Sequence, residues 1–324
     1  MASTLSEIKA PIKDELKKFE EFFKKSMKSN VALLDKITYY IVQKKGKQVR
    51  PMFVFLAAKL CGDINHGTYV ASSLVELVHT ASLVHDDVVD DSAERRGFFS
   101  INALWKNKIA VIVGDFLLTQ GLHIALENKQ YTMLHILSDS VKKLAEGELL
   151  QLEKARRLDI DESVYYEIVR QKTASLIASA CSVGAASATD DQSKIDLLAQ
   201  IGEKIGMAFQ IKDDLFDYGD KNVGKPRGID IKEKKMTLPL IYALAHADRS
   251  KKKSIINDIK KNSTNPEKVK DIIAYVHQSG GIEYATEVML RYQGEAIELL
   301  HQFPEGPARD SIESLIRYVT ARKK

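Results

Sequence analysis

Cysteine, proline and glycine are all scarce in this chain of 324 residues. The two cysteines, Cys61 and Cys181, form neither a CxxC pair nor a zinc-type spacing, which fits a reducing compartment. With 7 prolines and 17 glycines, the chain has few turn formers, and strand-type alternation is nowhere sustained. The sequence therefore predicts an all-α protein.

A strong excess of charge of one sign is also absent. The 48 Lys and Arg residues nearly balance the 44 Asp and Glu residues, and the net charge of +4 is too small to indicate a nucleic-acid partner.

Residues 1–18 contain no apolar h-region, so we expect no signal peptide. No apolar run approaches the roughly 20 residues of a membrane span. We expect a cytoplasmic protein without a transmembrane segment.

Segments of helical period follow one another with short polar breaks. No linker-like stretch interrupts them, so we expect one domain over residues 1–324. Thr68 is the expected N-cap of the helix that ends in the first acidic motif described below. The small residues of 178–188 indicate close contact between helices. After an apolar stripe over 16–27, the period predicts helices over 33–42, 51–60, 69–90, 103–127, 131–156, 161–188, 193–218, 237–246, 251–261, 266–278, 281–301 and 307–321.

One acidic pattern occurs twice. Residues 86–90 and 213–217 both read DDxxD within apolar, helix-like surroundings. Helix residues four apart share a face, so the first and last acids of each motif repel one another unless a cation lies between them. Carboxylates together with phosphate oxygens are the ligands that Mg²⁺ prefers. A single acidic run is usually a solvated face, but two copies with apolar flanks favour a magnesium–diphosphate site.

Basic groups accompany these acids. Arg95 and Arg96 follow the first motif, and arginine is suited to phosphate, although a solvated salt-bridge run is the alternative. Lys47 and Arg50 lie about one turn apart after Gly46, which allows a close approach to an anion. His79 lies about two turns before the first motif. It is either a phosphate donor or a hydrogen-bonded core histidine.

Three further features stand apart from the apolar pattern: Lys172-Thr173, Phe209-Gln210, and the loop 224–230 that leads to Lys235. The segment 219–225 nearly spells a P-loop. Pro226 replaces the required Ser or Thr, and a helix rather than a strand comes before it, so we reject a nucleotide site.

Together these residues resemble the trans-isoprenyl diphosphate synthase (polyprenyl synthetase) family. The resemblance rests on GKxxRP, HTASLVHDDVVD…RRG, QKTASL, FQIKDDLFDY and KxTLPL in this order. It implies that magnesium is ligated by Asp86, Asp90 and Asp213, assisted by Asp87, Asp214 and Asp217. It implies that the diphosphate of isopentenyl diphosphate is held by Lys47, Arg50, His79 and Arg96. It implies that the allylic substrate is bound by Arg95, Lys172, Thr173, Gln210 and Lys235.

The same resemblance implies a reaction and an architecture. Family members are bundles of long antiparallel helices around a central cavity, usually homodimers, and several Mg²⁺ ions are expected in each active site. The implied catalytic residues are Asp86, Asp90, Asp213, Lys172 and Lys235. The C-terminal segment 322–324 resembles the basic tail of the family. Lys45 and Lys234 stand where the family often has glycine, which affects loop geometry and removes no charged ligand.

Product length is expected to depend on the helix that ends in Asp86. Family members that stop early often carry bulky aromatics about one turn before this acid, where the chain has Ala81 and Ser82. The small side chains favour a medium-to-long product, hexa- to decaprenyl by resemblance. The alternative is that both residues simply pack against another helix.

Four other functions are alternatives to this one. A short-chain synthase of the same family is the first alternative. A class I terpene cyclase also uses DDxxD and Mg²⁺, but it needs no second-substrate group such as Lys47, Arg50 and His79. A non-catalytic synthase subunit would be expected to have lost an acidic motif, and both are intact here. A helical scaffold explains the helices and leaves the two acidic motifs without a role.

Overall fold

The computed structural model describes residues 4–43, 46, 48–95, 97–219 and 228–322. Helices dominate these ranges, and the all-α class is confirmed. The α-helices are α1 Leu5–Lys9, α2 Lys13–Ser26, α3 Ala32–Gln43, α4 Val49–Cys61, α5 His66–Val89, α6 Ile101–Glu127, α7 Tyr131–Arg157, α8 Glu162–Val169, α9 Ser175–Ala186, α10 Gln192–Phe216, α11 Ile229–Lys232, α12 Leu238–Ala245, α13 Arg249–Asn262, α14 Pro266–Gln278, α15 Gly281–Leu300 and α16 Pro307–Ala321.

A short hairpin joins α5 to α6. Strand β1, Glu94–Arg95, pairs antiparallel with β2, Phe98–Phe99. Gly97 in the connection has φ of +77°, a left-handed conformation that favours glycine in tight hairpins. Strands of two residues carry no readable alternation, which is why the sequence did not predict them.

The start of α5 differs from the prediction. Asn65, not Thr68, is the N-cap, and its side chain accepts a hydrogen bond of 2.8 Å from the backbone N–H of Gly67. Thr68 lies three residues later, where its hydroxyl accepts a bond of 3.2 Å from the N–H of Asn65. The expected cap is therefore the second half of a reciprocal capping arrangement, and the helix begins at His66.

Two of the predicted helices contain breaks that the spacing of their apolar residues did not indicate. Within α6, Lys106 has φ of +71° and ψ of 159°, outside the helical region. Between α8 and α9, Arg170–Ala174 form a π-helical turn, so the predicted helix over 161–188 is interrupted. Wide turns of this kind occur often at functional sites, and this one carries Lys172 and Thr173.

The buried apolar side chains form two clusters. The first contains side chains from α1 to α7 together with α9, the start of α10, the end of α15 and α16. The second gathers side chains from α8, the end of α10 and α12 to α15. Close contact is visible at Gly184, where an added Cβ would lie 2.4 Å from the carbonyl oxygen of Val54, as the small residues of 178–188 predicted. The single domain over residues 1–324 stays a prediction.

Helix α6 is the one helix in the described part of the chain that bears on the expectation about membrane spans. By length and composition it is long and apolar enough to cross a membrane, and 39% of its most apolar window is buried inside the protein. The sequence contains no unbroken apolar run of this length, because Asp115, Gln120 and His123 interrupt it. One such helix does not identify a membrane protein, since core helices of soluble proteins have the same length and composition.

Candidate functional site

The first acidic motif lies at the C-terminal end of α5. Asp86 is in the last turn, and Asp90 caps the helix with its backbone N–H 2.8 Å from the carbonyl oxygen of Asp86. Asp86 is half-buried and Asp90 is exposed. The C-terminal end of a helix carries partial negative charge. Carboxylates at this end are therefore repelled by the helix dipole as well as by each other. A bound cation would relieve both repulsions.

The second motif lies at the C-terminal end of α10, in the same unfavourable position. Asp213 is 42% exposed, and its Oδ1 lies 2.9 Å from a guanidinium nitrogen of Arg322. Asp217 caps α11 by accepting hydrogen bonds from the backbone N–H of Ile229 at 2.8 Å and of Asp230 at 3.2 Å. The first and last acids of the motif therefore have different partners.

Asp214, the middle acid, is buried and accepts two hydrogen bonds from side chains. The Tyr165 hydroxyl donates to Oδ2 at 2.6 Å, and the Gln210 amide donates to Oδ1 at 2.8 Å. Burial raises the pKa of Asp214 well above its ordinary value, with a further rise from the charge of Asp230, while both hydrogen bonds oppose the rise.

Asp230 is an acid of this site to which the sequence analysis gave no role. Burial raises its pKa to about 7, Asp217, Glu233 and Asp213 add to the rise, and Lys235 opposes it. The only signal in the sequence was its place in the loop that leads to Lys235. Crowded carboxylates with raised pKa values are costly unless a cation joins them.

Lys235 lies among several acidic side chains of the site. Its Nζ lies 2.5 Å from a carboxylate oxygen of Glu233. Burial alone would lower the pKa of Lys235, but the bond to Glu233 and the charges of Glu233, Asp230 and Asp90 raise it overall. The charges of Asp90, at the end of α5, and of Asp230, beside the end of α10, both raise the pKa of Lys235. Both helix ends therefore lie near this lysine.

The acids suit magnesium in their chemistry and in their spacing. Within the ranges that the structure describes, no three His, Cys, Asp or Glu side chains are grouped around one point. Mg²⁺ commonly takes only one or two carboxylates and completes its shell with water and phosphate oxygens. Separate acids at two facing helix ends therefore fit several ions joined by a diphosphate better than one ion in an all-protein cage.

Arg322 occupies the neighbourhood of Asp213. Its side chain is 16% exposed, and the guanidinium carbon lies 4.0 Å from the ring centre of Phe209 and 5.3 Å from that of Phe216. Stacking of this kind holds the cation beside the acid. A metal ion that binds Asp213 must share the carboxylate with Arg322 or displace it.

The residues expected to serve the allylic substrate lie beside the second motif. Lys172 Nζ is 2.5 Å from Glu148 Oε2, and the Thr173 hydroxyl donates to Gln210 Oε1 at 2.8 Å. Thr173 and Gln210 are thus joined to Asp214 by one chain of hydrogen bonds. The side chain of Arg95 lies outside the described part of the structure, although its backbone belongs to β1.

The residues expected to hold isopentenyl diphosphate are described only in part. Lys47 and Arg96 lie outside the described residues. Arg50 is half-buried in the first turn of α4, and His79 is buried on α5. His79 and Asp87 of α5 line a cavity. Its other walls come from α2, α3, other residues of α5, the hairpin, the start of α6 and residues 46 and 48, namely Phe19, Glu20, Phe23, Tyr40, Ile41, Val42, Gly46, Gln48, Glu76, Thr80, Leu83, Val84, Phe98, Phe99, Ser100 and Ile101.

The two positions expected to control chain length lie on different faces of α5. Ala81 is buried and shares a face with His85, which packs against Gly114 of α6 so closely that an added Cβ would meet its ring. Ser82 is half-buried, and its hydroxyl donates to the carbonyl oxygen of His79 at 2.8 Å. Ala81 therefore lies towards α6.

Comparison with known proteins gives one family. The family model described as Polyprenyl synthetase matches residues 31–276. The chain is 33% identical over 320 residues to an all-trans-nonaprenyl-diphosphate synthase (geranyl-diphosphate specific) of Rhodobacter capsulatus, covering 98% of this chain and 97% of the relative. It is 32% identical over 315 residues to heptaprenyl diphosphate synthase component 2 of Bacillus subtilis, covering 96% and 89%.

A solved structure has the same fold throughout. The polyprenyl synthase from Caulobacter crescentus CB15, complexed with calcium and isoprenyl diphosphate, superposes with a TM-score of 0.93 at 30% identity, covering 100% of this chain and 99% of that one. Family match, near-complete coverage and the facing acidic helix ends agree, and the chain belongs to the polyprenyl synthetase family.

Proposed function

We propose that the protein is a magnesium-dependent prenyltransferase. It condenses isopentenyl diphosphate with an allylic prenyl diphosphate, releases diphosphate and forms a longer all-trans polyprenyl diphosphate. The observation that carries this proposal is the pair of acidic motifs, each at the C-terminal end of a long helix, α5 and α10. Consumption of isopentenyl diphosphate by the purified chain, dependent on both an allylic starter and Mg²⁺, tests it.

Magnesium, when bound by Asp86, Asp90 and Asp213, supplies charge neutralisation for the diphosphate leaving group. Lys172 and Lys235 donate hydrogen bonds to the same diphosphate. The C–O bond to the allylic carbon breaks, and the diphosphate keeps the electron pair. The double bond of isopentenyl diphosphate then forms the new C–C bond to the allylic cation. A proton leaves the adjacent carbon for the released diphosphate, which restores a double bond. Apolar walls exclude water, which would otherwise quench the cation.

Two groups of residues are proposed to bind two different diphosphates. We expect Lys47→Ala and Arg50→Ala to raise the KM for isopentenyl diphosphate, because the two residues are three apart in the sequence and Arg50 lies in the first turn of α4. Arg95→Ala should instead raise the KM for the allylic substrate. Loss of a charged hydrogen bond costs about 1.5–3 kcal/mol, which corresponds to roughly 10- to 100-fold. Steady-state titration of each substrate against a fixed excess of the other measures both effects.

A matched control is Lys59→Ala, which removes a lysine from the other end of α4, where its Nζ bonds the carbonyl oxygen of Pro11. Both KM values should then stay near those of the wild type. If all three site variants raised the two KM values equally, the assignment of separate diphosphate groups would be wrong.

We also propose a medium-to-long product and a cytoplasmic homodimer. The names of the two relatives described above, nonaprenyl and heptaprenyl, support the product class, as do the small side chains of Ala81 and Ser82. Helix α6 supplies a self-association surface, because it exposes apolar side chains along one side, at Leu104, Val111, Ile112 and Leu126.

We expect Ile112→Glu to convert a dimer to a monomer, because a buried charge without a partner is strongly unfavourable at an apolar interface. Light scattering coupled to gel filtration gives the mass directly. Leu290→Glu is the matched control, since Leu290 is about as exposed but lies on α15. A monomeric wild-type protein, or a dimer that survives the Ile112 substitution unchanged, would refute this surface.

A second arrangement is favoured by one observation. The Bacillus subtilis relative is named as component 2 of its synthase, and that name implies another component. If the purified chain alone consumed no isopentenyl diphosphate but bound Mg²⁺ and inorganic diphosphate, a role as one subunit of a two-component synthase would replace the homodimer.

A further inference from the structure

Helix α13, Arg249–Asn262, holds the whole positive excess of the chain. Together with its N-cap Asp248, it has six basic and two acidic residues, a net charge of +4. The net charge of the full sequence is also +4. The rest of the chain is therefore neutral on balance, and the positive charge is concentrated on one short helix.

The basic side chains of α13 point away from the protein. Ile255 and Ile259 are buried in the second apolar cluster and fix the face of α13 that meets the core. Arg249, Lys253 and Lys260 are spaced by four and seven residues, so they share another face, on which they form a stripe about 16 Å long. All three are exposed. The other basic residues of the helix are exposed as well, namely Lys251, Lys252 and Lys261.

The acids close to α13 have other partners. Asp258, the one acid within the helix, is half-buried and lies 3.5 Å from the Nζ of Lys268 on α14. Asp248 accepts a hydrogen bond of 2.9 Å from the backbone N–H of Lys251 as the N-cap. In the part of the chain that the structure describes, no salt bridge joins a basic side chain of α13 to an acid.

This distribution of charge is unfavourable for the helix itself. Arg249 and Lys251 lie in the first turn, at the positive end of the helix dipole, and that turn contains no acid. Arg249 and Lys253 are also like charges four residues apart, which repel. Neither the core nor the helix is stabilised by these charges, which points to a partner of opposite charge outside the chain.

Neighbouring elements add no comparable charge. Helix α14, which follows α13 in the chain, has two basic and two acidic residues. Helix α2 is also rich in lysine, but its five lysines are accompanied by four acids. The positive surface is therefore limited to α13, and α2 provides a balanced helix for comparison.

We propose that the exposed face of α13 is a peripheral docking surface for an anionic lipid bilayer. Clusters of about four to eight basic residues on a surface helix bind acidic headgroups. Between the basic residues, this face has the small polar side chains of Ser250, Ser254 and Asn257, so α13 adsorbs to headgroups without inserting. The choice of lipid over another polyanion rests on the proposed function, because a polyprenyl product is too apolar to leave into water.

Co-sedimentation with lipid vesicles tests this surface. In about 0.1 M salt, the wild-type protein should bind vesicles of phosphatidylcholine that contain about one-third phosphatidylserine, and it should not bind pure phosphatidylcholine. Raising the salt to about 1 M shortens the Debye length from about 10 Å to about 3 Å and should release the protein. Release by salt separates electrostatic adsorption from apolar insertion.

A triple variant removes the stripe while leaving the buried isoleucines in place. Each basic residue near an anionic bilayer contributes roughly fivefold to partitioning, so the combined variant should bind the acidic vesicles about 100-fold more weakly. Its three changes are Arg249→Gln, Lys253→Gln and Lys260→Gln.

The matched control removes the same charge from exposed lysines of α2, through Lys13→Gln, Lys17→Gln and Lys18→Gln. Its vesicle affinity should stay within about threefold of the wild type, because α2 has no comparable positive excess. Thermal melting checks that both variants are folded.

Three results would overturn the inference. A wild-type protein that binds neither kind of vesicle, or both equally, would refute the surface without any variant. Equal losses in the two triple variants would show that overall charge and not α13 determines binding. Loss of affinity for an RNA duplex in the α13 variant, with wild-type affinity for vesicles, would make the partner a nucleic acid. Vesicle binding needs no turnover, so a protein that binds as expected but consumes no isopentenyl diphosphate would refute the proposed function alone.

Discussion

Asp86→Ala and Asp213→Ala are each expected to lower kcat by roughly three orders of magnitude, which is about 4 kcal/mol of lost transition-state stabilisation. Both acids lie at C-terminal helix ends, where a carboxylate meets the negative end of the helix dipole. Removing either acid leaves the diphosphate leaving group less well neutralised. The helices should stay folded, because both side chains are partly exposed.

Asp213→Ala also removes the partner of Arg322, so thermal melting should accompany the kinetics for this variant. Asp86→Ala provides the independent test, and its thermal melting should be measured in the same way. Asp271→Ala is the matched control, since Asp271 is an exposed acid on α14, and it should have wild-type kcat. Activity near that of the wild type in both site variants, with Mg²⁺ as the only metal, would refute the metal assignment.

The second large effect is expected on product length. Ala81→Phe should shift the products towards about three or four isoprene units, because a ring five residues before Asp86, about 7.5 Å along α5, blocks a chain that grows past this point. Ionisation of a short allylic starter should continue. Since Ala81 is buried towards α6, the added ring should also cost about 1–3 kcal/mol of stability.

A graded series makes the length prediction sharper. Ala81→Val should shorten the product less than Ala81→Phe, because the obstruction grows with side-chain volume, and chromatography of the dephosphorylated products measures both. Long products of wild-type length from a folded Ala81→Phe enzyme would show that the growing chain does not pass this residue. Ala81 would then be a packing residue between α5 and α6.

Much of this fold could be predicted because its helices are long and strongly periodic. The acids of both motifs could be placed at helix ends from spacing and flanking apolar residues alone. The π-helical turn at Arg170–Ala174 could not, because one extra residue in a turn leaves the apolar pattern nearly unchanged. The Thr68 cap was misplaced because Asn65 and Thr68 share one capping arrangement.

The partners of the site residues were beyond the sequence for a different reason. Arg322 reaches Asp213 across more than a hundred residues, and no local pattern encodes that contact. Asp230 acquires its raised pKa from burial beside Asp217, which depends on how the loop folds back on α10. Local spacing shows which acids share a helix face, while tertiary packing determines which of them are paired, buried or open to a ligand.

The most direct test of the account is a product analysis with the purified chain. The protein is incubated with isopentenyl diphosphate, Mg²⁺ and allylic diphosphates of increasing length, and the lipid products are sized. We expect isopentenyl diphosphate to be consumed, diphosphate to be released, and linear hexa- to decaprenyl products to form only with Mg²⁺ and a starter. Cyclised hydrocarbon from the allylic diphosphate alone, without consumption of isopentenyl diphosphate, would contradict it.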